Sequence, residues 1–134
     1  KKDKFLILDL LTWMHQKKAD YTNTFCYLMN ETIQKDNIYK DNDFLNWKKR
    51  WEIRLKSEDK TPDQYIKLMK NFNPFIIPRN HKVEEALKAA EKNDLKPITK
   101  LIEILKNPYL NQKNVVDYQI PSNSNENYQT FCGT

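Results

Sequence analysis

The chain has 134 residues, 31% of them charged, a formal net charge of +5 and a single glycine. That length holds one domain, able to bury roughly two-thirds of the surface of its unfolded chain. An average chain of this size would carry about nine glycines, whereas Gly133 stands alone near the end. Phosphate-cradling loops need glycine to turn sharply and to bring the backbone close to a ligand, so neither a Walker loop nor a GxGxxG turn can be written.

The opening Lys1-Lys2-Asp3-Lys4-Phe5 has no initiator Met and no signal-peptide pattern. No uncharged apolar run reaches the roughly 18 residues that span a bilayer. These features predict a soluble, intracellular chain, with no membrane partner, that starts at a cut in a longer one. Cys26 and Cys132 do not form the disulfide framework of a small secreted protein. With His15 and His81 they are too scattered for zinc-ligand spacing, and no metal site is expected. The lysines are interspersed with carboxylates and read as solvated helix faces.

In chain order, residues 4–17 predict a first helix whose apolar arc is unusually wide: Leu6, Ile7, Leu10, Trp13 and Met14 join Phe5, Leu8 and Leu11. Such a helix must be covered on several sides, so part of its partner is expected to lie elsewhere. Asp20 offers an N-cap to a second helix, where Tyr21, Phe25, Leu28, Met29 and Ile33 keep helical spacing and Cys26 reads as a small buried hydrophobe. Asp43 is the expected cap of a third helix, Phe44 to Leu55, with Phe44, Trp47, Trp51 and Leu55 on one face.

Thr61-Pro62-Asp63-Gln64 is a strong start signal for the fourth helix, with a capping box and a proline in the first turn. Phe72 to Pro78 is a proline-bracketed connection. Asn80 is the expected cap of the fifth helix, which carries the stripe Val83, Ala86, Leu87 and Ala90. Asn93-Asp94 stops it, Pro97 sits in the first turn of the sixth, and Leu101, Ile104 and Leu105 supply the inner face of the latter. From Asn111 onward the composition predicts an extended tail. The expected fold is therefore all-α: a bundle of about six helices over residues 1–110, with Trp47, Trp51, Leu87 and Leu101 in its core, then an extended tail over residues 111–134.

Polar signals are sparse. Arg50 and Arg54 beside Trp47 and Trp51 resemble a basic, aromatic strip for nucleic acid, but a core ridge with arginines stacked on it or paired to carboxylates explains them better, and nucleic acid is an unexpected partner. Arg79, Asn80 and His81 form the densest group. At a helix start they can contact an anion or tie the connection to the next helix, and the structural role is preferred. Cys132, close to the end, is an accessible thiol on residue physics alone.

Several stretches, in order, resemble the C-terminal region of the selenoprotein O family, also called YdiU or UPF0061. They are Ala19 through Phe25, Trp47 through Trp51 with Arg54-Leu55, Met69 with Asn73-Pro74-Phe75-Ile76-Ile77-Pro78-Arg79-Asn80-His81, Val83 through Leu87, Asn107-Pro108-Tyr109, and the closing Tyr128 through Thr134. The resemblance implies a kinase-like parent protein that uses ATP and Mg2+ (or Mn2+) to transfer AMP to hydroxyls of protein substrates. The family's nucleotide and metal residues lie upstream of this sequence, so no catalytic, cofactor-binding or metal residue is assigned within it. The implied partner is that upstream catalytic region, and the implied location is the bacterial cytoplasm, or mitochondria in a eukaryote. Some members carry selenocysteine where Cys132 stands, which makes Cys132 the candidate redox residue, with a disulfide partner expected upstream. The region then serves as scaffold and redox-linked regulator. The alternative is an autonomous helical module that binds proteins or nucleic acid.

Overall fold

A computed structural model describes residues 2–31 and 37–122. Among them the structure is helical throughout: α1 (Lys2–Lys17), α2 (Tyr21–Leu28), a 3-10 turn (Asn37–Lys40), α3 (Asn42–Lys56), α4 (Pro62–Phe72), α5 (Asn80–Ala90), α6 (Lys96–Leu105) and the short α7 (Val116–Gln119). No strand occurs among the described residues. None of these helices is long and apolar enough to cross a membrane.

Two apolar clusters share α2 as a wall. In the first, Leu10, Trp13 and Met14 of α1 meet Leu28, Tyr39, Phe44 and Trp47. Aromatic rings fill it: Trp13 and Phe44 have centroids 4.6 Å apart, and Tyr27 stacks on Tyr39 at 4.1 Å. In the second, Cys26 of α2 and its C-cap Met29 meet Phe75, Ile76, Ile104 and Val115, and Met69 packs against both clusters. Eight residues of helix thus feed two cores, because successive side chains turn by about 100° and cover opposite sides.

The start of α3 differs from the sequence expectation. Asp41, rather than Asp43, is the N-cap and accepts the Phe44 N–H at 3.3 Å. Asp41 is held there from α1, since Trp13 Nε1 donates to it at 2.8 Å and Lys17 Nζ at 2.7 Å. Asp43 falls in the first turn, where a negative charge still suits the helix dipole. Helix α2 stops at Leu28, short of the expected reach to Ile33, because Asn30 takes a left-handed φ of 59°; Ile33 itself lies outside the described residues. The capping box of α4 forms as read, with Thr61 Oγ1 accepting from Gln64 N and Gln64 Oε1 accepting from Thr61 N.

Core membership divides. Trp47 and Leu101 are buried, whereas Trp51 is half-buried at the edge of the first cluster and Leu87 is 46% exposed. Helices α5 and α6 pack mainly on each other as a hairpin, and Ala86 takes the inward position of the stripe while Leu87 turns outward. Past Asn111 the backbone is less extended than the composition predicts. α7 forms, with Val115 buried in the second cluster, Tyr118 packed against it, and the buried Gln119 donating to Phe75 O. Residues 123–134, including Cys132, lie outside the described residues.

Removing Phe44, which is fully enclosed, leaves a cavity among four other aromatic rings. Phe44→Ala is expected to cost about 3–5 kcal/mol and Leu87→Ala no more than about 0.5 kcal/mol. Urea titration of both variants checks the assignment, and equal losses would contradict it.

Candidate functional site

The densest polar arrangement lies where α2 and α5 begin. The Asp20 backbone is extended, and its carboxylate Oδ1 accepts the Asn23 N–H at 2.8 Å, which caps α2. Arg79 occupies the N-cap position of α5, taking the place expected of Asn80, and makes no side-chain cap bond. Its carbonyl accepts the Lys82 and Val83 N–H groups at 2.9 and 3.1 Å, while its guanidinium turns away from α5 toward α2. Arg79 Nη1 donates to Asp20 Oδ2 at 2.7 Å and Nη2 to Oδ1 at 2.9 Å, a bidentate fork. Asn23 Oδ1 receives a longer bond from Nη2 at 3.5 Å.

Only 8% of the Arg79 side chain is exposed, so the charge is neutralised in place rather than presented to solvent. Burial raises the Asp20 pKa, but the Arg79 hydrogen bonds, the Asn23 N–H and the Arg79 charge together outweigh it and hold the carboxyl below its ordinary value. Among the described residues, the buried Arg79 Nε has no hydrogen-bond partner. Asn80 points to solvent, and His81 is half-buried. Burial first, then the Lys82 and Arg79 charges, lower the His81 pKa from its ordinary value.

The connection before Arg79 is tied down on its other side. Phe75 N and Ile76 N both donate to Pro108 O, at 2.8 and 3.3 Å, and Gln119 Nε2 donates to Phe75 O at 3.4 Å. Asn23 Nδ2 returns to α7 by donating to Gln119 O at 3.4 Å. Asp20, Asn23, Phe75, Arg79, Pro108 and Gln119 therefore join α2, α5, α7 and the turn that follows α6 through a short chain of polar contacts. The sequence reading found the cap at Asp20 and the group around Arg79 without pairing them across 59 positions. Both ends of the ion pair, however, fall within stretches that carry the family resemblance. Gln119 was missed because an amide in a polar, non-periodic stretch carries no signal of burial.

The remaining candidates are dispersed. Cys26 is 1% exposed, and burial, followed by the Asp20 and Glu31 charges, pushes its thiol up to about 11 against a smaller opposing effect of Arg79. Such a thiol is protonated and inert at neutral pH. Arg50 and Arg54 pair with Asp9 and Asp3 of α1, each at 2.7 Å, and Arg54 also pairs with Glu58 at 2.8 Å. Their charges thereby face carboxylates instead of forming a bare basic strip. Among the described residues no three His, Cys, Asp or Glu side chains gather as metal ligands.

Comparison with known sequences agrees with the resemblance carried by these stretches. A family profile described as Protein adenylyltransferase SelO matches residues 1–106. The chain belongs to the SelO family. A relative from Pelagibacter ubique, named Protein nucleotidyltransferase YdiU, is 52% identical over 135 residues, covering all of this chain and 28% of its own length. Relatives of the same name from Clostridium perfringens (strain SM101) and Bacillus mycoides are 44% and 46% identical, covering 98% of this chain and 27% and 28% of their own lengths. The chain thus spans little more than a quarter of these SelO-family relatives.

The depressed Asp20 pKa has a definite sign for stability. Its contribution is complete above the unfolded carboxylate value of about 3.9 and is lost as the pH falls through the lower folded value. Asp20→Asn keeps a competent cap but strands the buried guanidinium, and is expected to cost about 3 kcal/mol near neutral pH. The difference from the parent should shrink as the pH falls below the ordinary carboxylate value of about 3.9. Thermal unfolding of both proteins above and below that value checks this, and a difference independent of pH would rule out the ion pair as its source.

Proposed function

We propose that this chain is the C-terminal, non-catalytic helical region of a kinase-like protein adenylyltransferase, and that it scaffolds the catalytic region that precedes it. The observation that carries the proposal is the match to the SelO profile over residues 1–106 by a chain that spans only 28% of a relative named as a nucleotidyltransferase. In this reading ATP and a divalent cation are held upstream, and AMP passes to a hydroxyl of a protein substrate with release of pyrophosphate. The residues of this chain take no part in that step. They stiffen the helices that support it, with the Asp20–Arg79 pair as the principal tie.

Two features support a supporting role. The single glycine leaves no phosphate-cradling loop within the chain. Outward-facing apolar side chains of α1, with Phe5 66%, Ile7 59%, Leu8 45% and Leu11 41% exposed, form a surface of the kind that packs against a neighbouring region. Calorimetry with ATP and Mg2+ is expected to detect no micromolar binding by this chain alone. The chain joined to its upstream region should bind ATP and label a protein substrate with AMP. Micromolar binding by the isolated chain, or a joined protein without transfer activity, would refute the assignment.

Cys132 completes the proposal as the redox-linked element, since the resemblance of the closing Tyr128 through Thr134 stretch implies selenocysteine at its position in some family members, and Cys26 is buried and protonated. Under mild oxidation of the full-length protein, peptide mapping is expected to find Cys132 linked to a cysteine of the upstream region and transfer activity altered. A Cys132–Cys26 link, or a free Cys132 with unchanged activity, would refute this part.

A further inference from the structure

Between α3 and α4 lies a cleft of 270 Å3 that the scaffold role leaves unused. Trp51, Leu55, Tyr65 and Met69 contribute to its apolar lining. Trp51 stacks one face on Trp47 at 5.9 Å and 11°, which fixes its ring at the edge of the first cluster, beside the cleft. Tyr65 is anchored at the other wall by its hydroxyl, which donates to Leu55 O at 2.9 Å. Both walls are therefore apolar and held from behind, Trp51 by its stack on Trp47 and Tyr65 by its bond to Leu55 O.

Charge around the lining is unequal. Lys48, Lys56 and Lys60 stand there against one carboxylate, Glu52. Lys48 is partly neutralised by Glu52 at 3.7 Å, and Lys60 by Glu58 at 3.8 Å. Lys56 pairs with no carboxylate among the described residues. The cleft thus offers apolar contact with a net positive border. Its volume falls below the roughly 300–1,000 Å3 that enclose a drug-sized ligand, but it suits one large side chain, the kind of anchor on which protein interfaces concentrate their binding energy. A nucleic acid fits less well, since it needs a continuous basic track, whereas Glu52 beside Lys48 and Glu58 beside Lys60 interrupt the positive border here.

We propose that the α3–α4 cleft docks a short acidic segment of a partner protein, which inserts one bulky apolar side chain against Trp51 and Met69 and lays flanking carboxylates beside Lys56 and Lys60. This concerns the chain's own surface and does not rest on the assignment to AMP transfer. The apolar contact supplies affinity, and the exposed lysines supply selectivity that salt screens.

The test uses the full-length protein and fluorescently labelled peptides with one Phe flanked by Glu, the same Phe flanked by Lys, and Ser in place of Phe between the Glu residues. Anisotropy is expected to show saturable binding of the Glu-flanked Phe peptide, weakened by added salt, and at least about tenfold weaker binding of the other two. The surface variant K56E/K60E should lose a similar factor while its circular dichroism stays that of the parent. In nitrogen-15 spectra the indole N–H of Trp51 should shift on binding. The proposal is overturned if the Glu- and Lys-flanked peptides bind alike, if K56E/K60E binds as the parent does, if the Trp51 signal stays fixed, if the Glu-flanked Phe peptide shows no saturable binding up to about 1 mM, or if a single-stranded oligonucleotide displaces that peptide.

Discussion

The arrangement of the helices depends on one carboxylate doing two jobs. Asp20 caps α2 by accepting the Asn23 N–H and, with both oxygens, receives the Arg79 fork from the start of α5. Helix α2 has only eight residues, too few to persist alone in water, yet it is the wall common to both apolar clusters. Its position therefore has to come from its ends and neighbours. The ion pair supplies the N-terminal constraint, and the fully buried Thr24 adds to it by donating to Asp20 O at 2.7 Å. Removing water from two opposite charges is expensive, and the bidentate geometry with its added hydrogen bonds is what offsets that cost.

A second carboxylate plays the corresponding part on the other side of the molecule. Asp41 caps α3 while accepting from Trp13 and Lys17 of α1, so the start of one helix is registered against the end of the other. Trp47 Nε1 donates to Leu6 O at 2.8 Å and continues the same seam. The outer pairs Asp3–Arg54 and Asp9–Arg50 follow along the α1–α3 edge. Being exposed, they contribute little to stability and chiefly fix alignment. The α1 seam faces α3, and the opposite apolar side of α1 is left outward. This asymmetry leaves Phe5, Ile7, Leu8 and Leu11 exposed, and it is the feature that motivates the supporting role proposed above.

The periodic elements were legible in the sequence because their signals are local. Thr61-Pro62-Asp63-Gln64 contains the whole capping box within four residues, and it forms as written. The buried ridge Phe44–Trp47 follows from helical spacing alone. Local signals were insufficient where two candidates lay close together. Asp41 and Asp43 are both good caps, and the contacts from Trp13 and Lys17, 28 and 24 positions away, select the first. Leu87 and Ala86 both belong to the apolar stripe of α5, and the direction of the α6 hairpin decides which is enclosed. At the candidate site, Arg79, Asn80 and His81 were legible as a polar group at a helix start, but their divergence was not.

By itself the sequence determined that the chain is helical, that it lacks a glycine-built phosphate loop, and, through its resembling stretches, which family it belongs to. Composition, periodicity and short motifs express these properties in residues that are neighbours along the chain. The tertiary structure alone decided that Asp20 and Arg79 form one buried pair, that α2 serves two cores, that Trp51 lies at the edge of a cleft, and that a turn of helix around Val116–Gln119 packs on the second cluster. Each of those outcomes depends on contacts between residues tens of positions apart, where burial makes a hydrogen bond or an apolar contact decisive and where no local pattern records which partner will be met.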